Sequence, residues 1–443
     1  MEELRKLLQY AVELAQLLKK SGKMEIAGVL KALDGQHVSA GPFGSISNKG
    51  AAVLPTGKNP YGVDPETLPT RAAWELGVKA AQAILERHLR ERGRYPETVG
   101  HQLFSLDGFN ADGRQLAAIL YLFGVRPVWE GDRVVDVEPI PIDELGRPRI
   151  DNLVNISGVL RDTLPHYIKI ISRAVSKVIQ LDEPPELNYP KKHYLEQVSK
   201  LGDSATLRVF GPMPGAYGTG IQEVVKGRGW RSREDLAEVW IADFAYGYDE
   251  ALIGRRAAEA LVEQLKTVEV VVKDRYRDEE GPLSLAGDDW FAFLGGFYAA
   301  VKYVKGSPPE VLIIDSRDVA KLRLRSLKEE IEREVYGKLL NPEWINGMKK
   351  HRHSGAAEIA ERIFYLFGWS ATTDAVSDEV YNAVASVYFS DEMVSWFREK
   401  NPHALIEIGE RLLEAAERGL WHAEGEIVEK IKRVYLEVEG ELE

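Results

Sequence analysis

Between residues 98 and 314, short apolar runs alternate with longer helical patterns, and this alternation limits the possible folds more than any other feature of the chain. Thr98–Leu106 reads as a buried strand and Asp112–Phe123 as a helix ended by Gly124. Val134–Ile140 alternates like a half-buried strand, and Ile150–Ile156 reads as another strand. Helices are expected from about Arg161 to Leu181 and from Lys191 to Leu201. A short strand follows at Leu207–Phe210, and Val311–Ile314 is a further buried strand. Parallel strands need long crossovers and helices supply them, so strands alternating with helices imply a mainly parallel sheet. The expected fold class is α/β, with a Rossmann-like, mainly parallel sheet region and a helical C-terminal region that begins near Leu322.

Three regions are expected. Residues 1–70 hold N-terminal helices and a long functional loop, 71–320 the α/β region, and 321–443 the mainly helical region. Within the first, Met1–Leu33 reads as two helices broken at Ser21-Gly22. Residues 34–70 show almost no periodicity and are rich in Gly, Pro, Ser and Asn, which suits an ordered functional loop. Thr70 has the chemistry of an N-cap for a helix that ends near Gly93.

Composition excludes several functions. The net charge of −12 argues against a mainly electrostatic nucleic-acid binder. With no cysteine, disulfide scaffolds, zinc–thiolate sites, iron–sulfur clusters and thiol nucleophiles are all out. The first helix lacks the apolar core and cleavage site of a signal peptide, and no stretch reaches 18 apolar residues, so no membrane span is expected. The expected location is the cytoplasm.

Candidate chemistry is spread along the chain. No GxxxxGK[ST] loop is present, and Gly218-Thr219-Gly220 has Glu223 where a third glycine would complete a GxGxxG, so ATP hydrolysis by this chain is not expected. His351-Arg352-His353 places two imidazoles near Glu358, but residues two apart face away from each other on a helix, so alone it reads as a solvated basic turn. Asp288-Asp289 precedes Trp290-Phe291-Ala292-Phe293 and fits either a helix cap or a cleft carboxylate. The loops FGPMPGAYGTG (210–220) and SGVLRDTLP (157–165) each follow a strand, where open α/β sheets bind ligands.

Taken in order, these stretches resemble the large subunit of cobaltochelatase (the CobN family) and, more distantly, the H subunit of magnesium chelatase. The resemblance rests on ALDGQHVSAGPFG (32–44), VLPTGKNPYGVDPETLPTRAAW (53–74), LGRPRIDNLVNISGVLRDTLP (145–165), LDEPPELN (181–188), RVFGPMPGAYGTGI (208–221), FAYG (244–247), DDWFAFLGG (288–296), NPEWINGMKKHRHSGAAEIA (341–360), YLFGWSATT (365–373) and ERGLW (417–421). It covers the C-terminal part of that family. The family's DDYYQF-type run is DDWFAF here, and its HGYKGAFE-type run is HRHSGAAE, with Arg352 at the first glycine.

The resemblance implies a tetrapyrrole-binding chelatase subunit that inserts a divalent metal, cobalt above magnesium or nickel, into a corrin precursor. ATP would be hydrolysed by AAA+ partner subunits, and a separate N-terminal-half subunit is a further expected partner. The alternative is a non-catalytic tetrapyrrole or metal-tetrapyrrole binding protein on the same fold. Glu358, Asp288 and Asp289 are the expected proton acceptors. His351 with Glu358 would hand over the metal. Trp290, Phe291, Phe293, Tyr217 and Tyr246 would wall a flat cleft, and Arg147, Arg149 and Arg161 would clamp the macrocycle's carboxylates.

Overall fold

A computed structural model describes residues 2–42, 50–58, 62–251, 253–278, 280–284, 287–318 and 320–442. Residues 43–49 and 59–61, the centre of the loop expected to be ordered and functional, lie outside the described residues.

The strands are β1 (Thr98–Leu103), β2 (Val125–Glu130), β3 (Arg133–Pro139), β4 (Asp151–Ile156), β5 (Val209–Gly211), β6 (Tyr246–Tyr248), β7 (Arg255–Arg256), β8 (Val268–Arg275), β9 (Glu310–Asp315) and β10 (Arg323–Ser326). Eight of them form one sheet in the order β10-β9-β8-β1-β4-β5-β6-β7, and β2 and β3 form a separate hairpin. The five central strands of the large sheet run parallel, whereas β10, β6 and β7 close its edges in antiparallel fashion. Every residue of β1 and β4 is buried, as expected for parallel strands covered on both faces. The fold is α/β with a mainly parallel sheet.

The helices that matter to the site are α1 (Glu2–Leu33), α2 (Arg71–Arg92), α3 (Arg114–Phe123), α4 (Pro165–Ile179), α5 (Ile221–Lys226), α6 (Arg233–Asp243), α7 (Gly296–Lys305), α8 (Pro342–Lys350), α9 (Arg352–Thr372) and α10 (Pro402–Glu417). The caps of α2 follow the sequence. Thr70 Oγ1 accepts from the Ala73 N–H, and Gly93 closes the helix at φ +73°. The expected break at Ser21-Gly22 is absent, and α1 runs straight through it. Ser21 Oγ donates back to the Leu17 carbonyl (3.0 Å) and accepts from the Thr56 N–H (3.0 Å), so its polar group is satisfied inside the helix. The helix expected from 161 to 181 is two, divided at Leu164 with Pro165 opening the second.

One core spans the sheet and the C-terminal helices. Val271 and Ile313 of the sheet share a buried cluster with Trp240 of α6, Phe297 of α7, Trp369 of α9 and Ile408 of α10. The pattern change near 315–321 is thus crossed by continuous packing. On the opposite face, Val270, Val272 and Leu312 pack against Ala81 and Leu85 of α2 and Leu122 of α3. Trp240 and Phe297 stack at 5.0 Å and 14°, and Trp240 Nε1 donates to the Phe293 carbonyl (3.1 Å).

Candidate functional site

The carboxyl ends of the parallel strands lie at one edge of the sheet, and the loops leaving them carry the candidate chemistry. β8 leads through residues 276–287 to Asp288. That loop is held from beneath. Arg275 pairs with Glu330 and with Glu334 (2.7 Å to the latter), and Glu334 accepts from the Leu283 N–H (3.2 Å) and Ser284 Oγ (2.9 Å). Arg362 of α9 donates to the Leu283 carbonyl, and Trp369 Nε1 donates to the Pro282 carbonyl (2.9 Å).

Asp288 and Asp289 then open a π-helical turn, Trp290–Gly295, that runs directly into α7. A π-turn widens the backbone locally and recurs at functional sites. It lies against α9 with almost no spacing. A Cβ on Gly368 would sit 2.5–2.7 Å from the Phe291 ring, and one on Gly295 would sit 2.2 Å from Thr372 Oγ1. These contacts fix the acid pair relative to α9.

The result is an open cleft of ≈ 930 Å³ between α5, the Asp288 turn, α9 and α10. From α9 it receives Glu358, Glu361 and Tyr365, spaced to share one helical face, and His353 from the first turn. Glu407, Glu410 and Arg411 of α10 stand opposite, and α5 contributes Gln222, Glu223 and Lys226. Glu358 is ion-paired with Arg362. Asp289 is half-buried and accepts from Gln222 Nε2 at 3.2 Å. Burial and the neighbouring Asp288 charge push its carboxyl above the ordinary range, and the Gln222 hydrogen bond opposes them. Tyr365 is pushed well up by burial, then by a hydrogen bond to Glu361 and the negative charges of the cleft. Asp243, at the end of α6, is raised to about 6 by burial and the charge of Glu223.

The expected site residues divide into three groups. Asp288 and Glu358 line the cleft, and Asp289 borders it through its bond to the cleft-lining Gln222. His351 does not line it. It ends α8 as an exposed residue, and its neighbour His353 faces the cleft instead. The expected His351–Glu358 metal pair is thus not gathered on the cleft lining. Among the described residues, no three His, Asp or Glu side chains are grouped to hold a metal ion.

The second group lies in the core. Trp290, Phe291 and Phe293 are 3%, 0% and 3% exposed, so they support the acid pair from behind and form no cleft wall. Arg147 and Arg149 are also interior. Arg147 donates to the Tyr121 (2.5 Å), Leu122 (3.3 Å) and Pro148 (2.8 Å) carbonyls, and burial lowers its pKa to about 10. Arg149 pairs with Glu183 (2.7 and 2.8 Å) and donates to the Ile140 carbonyl (2.7 Å). Both brace the backbone and neither is open to a ligand's carboxylate.

The third group forms a separate corner at the ends of β4, β5 and β6. Arg161 pairs with Asp162 (2.7 Å) and donates to the Met213 carbonyl (2.9 Å), which fixes the glycine–proline loop 210–220. Tyr217 on that loop is 53% exposed, and its hydroxyl donates to Asp162 (2.7 Å). Tyr246 is half-buried on β6.

Sequence reasoning passed over Gln222, Glu361 and Tyr365, and it chose His351 over His353. Glu361 and Tyr365 follow Glu358 at steps of three and four residues on one helical face, so that spacing was the available signal. It also passed over Lys273 of β8, buried with its ammonium 4.6 Å from the Phe104 ring and 5.3 Å from the Trp290 ring.

Comparison with known proteins agrees with this architecture. The family model described as CobN/Magnesium Chelatase matches residues 1–428. An uncharacterized protein of Methanocaldococcus jannaschii is 39% identical over 99% of this chain and 36% of its own length. The aerobic cobaltochelatase subunit CobN of Pseudomonas aeruginosa is 37% identical over 97% of this chain and 35% of its own length. The solved catalytic subunit of cobaltochelatase from Mycobacterium tuberculosis superposes with a TM-score of 0.89 at 39% identity, over 94% of this chain and 36% of that one. The chain thus spans about a third of the length of the relatives it matches. A family model that matches residues 1–428, together with a solved relative of the same fold over 94% of the chain, means that the chain belongs to the CobN/magnesium chelatase family.

Proposed function

We propose that the chain is the proton-accepting part of a metal-chelatase large subunit. It takes a carboxylate-bearing tetrapyrrole and a divalent metal as substrates, cobalt in preference to magnesium or nickel. ATP is hydrolysed by separate AAA+ subunits, and the reaction belongs to the cytoplasm. The supporting observation is that Asp288, on the turn after β8, and Glu358, on α9, line one acidic cleft at the carboxyl end of a parallel sheet. Metal insertion breaks two pyrrole N–H bonds, and each nitrogen keeps its electron pair for the metal. Two protons must therefore leave, and carboxylates on opposite walls of a cleft suit that task. The exposed Tyr217 and the loop fixed by Arg161 offer an aromatic surface for the macrocycle's face.

Titration of the chain with a porphyrin and with a cobyrinate-type ligand, read by absorbance, is expected to saturate below roughly 100 µM. Glu358→Gln is expected to keep that binding and to lower metal insertion, with AAA+ subunits added, by about 10²–10⁴-fold. Binding of neither macrocycle overturns the reading. Binding without insertion by the wild type favours the non-catalytic binder.

A further inference from the structure

Gln222 stands where two parts of the site meet. It is the second residue of α5, a helix entered directly from the glycine–proline loop that carries Tyr217. Its side chain lines the cleft, and its amide reaches across to Asp289 on the turn after β8 (3.2 Å). We propose that Gln222 is a positioning residue of the chelatase site, whose amide holds the Asp289 carboxylate in the orientation that accepts a pyrrole proton and ties it to the macrocycle-facing loop. This inference rests on the chelatase reading above.

The chemistry follows from the contact. An amide N–H donates to the ionised carboxylate and favours it. Burial and the charge of Asp288 work the other way. The hydrogen bond favours the ionised carboxylate, the form that accepts a proton, while burial and the Asp288 charge make it more basic. Other charges border the cleft. α5 adds Glu223 and Lys226, α9 adds His353, Glu358 and Glu361 with the Tyr365 phenol, and α10 adds Glu407, Glu410 and Arg411. Behind the turn, Lys273 of β8 lies beneath Trp290. Of these, Gln222 makes the direct hydrogen bond to Asp289, so its removal is expected to have a selective effect.

The step balances simply. A pyrrole N–H bond breaks, its electron pair stays on nitrogen to bind the divalent metal, and the proton forms a new O–H bond on Asp289.

The test uses Gln222→Met, nearly isosteric but with no donor, and Gln222→Asn, an amide too short to reach. In the full chain, the Asp289 carboxyl titration read by carbon-13 NMR is expected to move up by about one pH unit in both variants. In the insertion assay with AAA+ subunits, the acid limb of kcat is expected to move up with it, while KM for the macrocycle changes by less than about twofold. An unmoved Asp289 titration overturns the proposal. So does a moved titration with an unmoved acid limb, which would leave Gln222 a merely structural contact. If the wild type binds no macrocycle, the chelatase reading falls and this role falls with it, whereas the NMR titration still reports the contact itself.

Discussion

Arg352 has a backbone φ of +50°, left-handed geometry that glycine adopts freely and arginine does not. It occupies the turn between α8 and α9, where the HGYKGAFE-type run of the family has a glycine. Its conformation also explains the histidines. The left-handed turn leaves His351 outside α9, which begins at Arg352 and takes only His353 to the cleft. Spacing of residue types could not reveal this, because the outcome depends on one dihedral angle. Arg352→Gly is expected to stabilise the chain by about 1 kcal/mol, the relieved strain being partly offset by the greater freedom of glycine in the unfolded state. Urea denaturation measures it, and a clear loss of stability would mean that the Arg352 side chain makes a contact worth more than the strain. The same limit applied to Arg147 and Arg149. Their sequence motif suggested ligand clamps, yet arginine serves carboxylates and backbone carbonyls with the same fork of donors, and only burial separates the two uses.

Two elements, the π-turn at Trp290–Gly295 and α9, bring the two walls of the cleft together, and they do so through the absence of side chains. Gly368 leaves room for the Phe291 ring, and Gly368→Ala would drive a methyl to within 2.5–2.7 Å of it. The cost of such overpacking is about 1–3 kcal/mol. Because Phe291 follows Asp288-Asp289 so closely, metal insertion is expected to fall along with stability. Gly347→Ala on α8 is the control, since nothing lies within 4 Å of the added methyl, and it should be neutral or stabilising by up to about 1 kcal/mol. If both substitutions cost the same, the close packing is not what positions the acid pair. Elements with clear punctuation were legible in the sequence. Thr70 and Gly93 bracket α2, and the apolar runs of β1, β4 and β9 stop at polar or turn residues. β8, which delivers Asp288, was not legible. The helix Ala258–Thr267 passes into it at Val268 with no glycine or proline between them, so the run reads as continuous apolar pattern of either kind. β6, β7 and β10 are too short to show a period, and their pairing is decided by the sheet they border.

Across the whole molecule, the two ends of the sheet have different duties. The carboxyl ends carry the acidic cleft, whose like charges oppose folding. The amino ends carry a compensating ionic clamp. Asp151, at the first position of β4, is buried and accepts from Arg208 Nε (2.7 Å), and it pairs with His193 Nδ1 (2.8 Å). His193 reaches on to Glu97, just before β1 (3.2 Å), and Lys192 joins the same carboxylate (2.7 Å). The clamp binds the starts of two central strands to the helix behind them, far along the strands from Asp288. Burial pushes Asp151 up, but Arg208 and His193 outweigh it and hold its pKa at about 2, below the ordinary 3.8. A depressed carboxyl stabilises the fold above its unfolded value and loses that contribution as pH falls through its folded one, so this contribution is full above about pH 4 and fades towards pH 2. Asp151→Asn leaves Arg208 buried without its charge partner and is expected to cost about 3–5 kcal/mol near neutral pH. The gap between variant and wild type should narrow as pH drops from 4 to 3, because Asp151 of the unfolded wild type takes up its proton there while the folded carboxylate stays ionised. Denaturation curves at pH 6 and pH 3 measure both. A gap that stays constant with pH would assign the cost to packing around residue 151 in place of its charge. Macrocycle binding in native buffer is expected to be unchanged in any Asp151→Asn protein that remains folded, since the clamp and the cleft occupy opposite ends of the sheet.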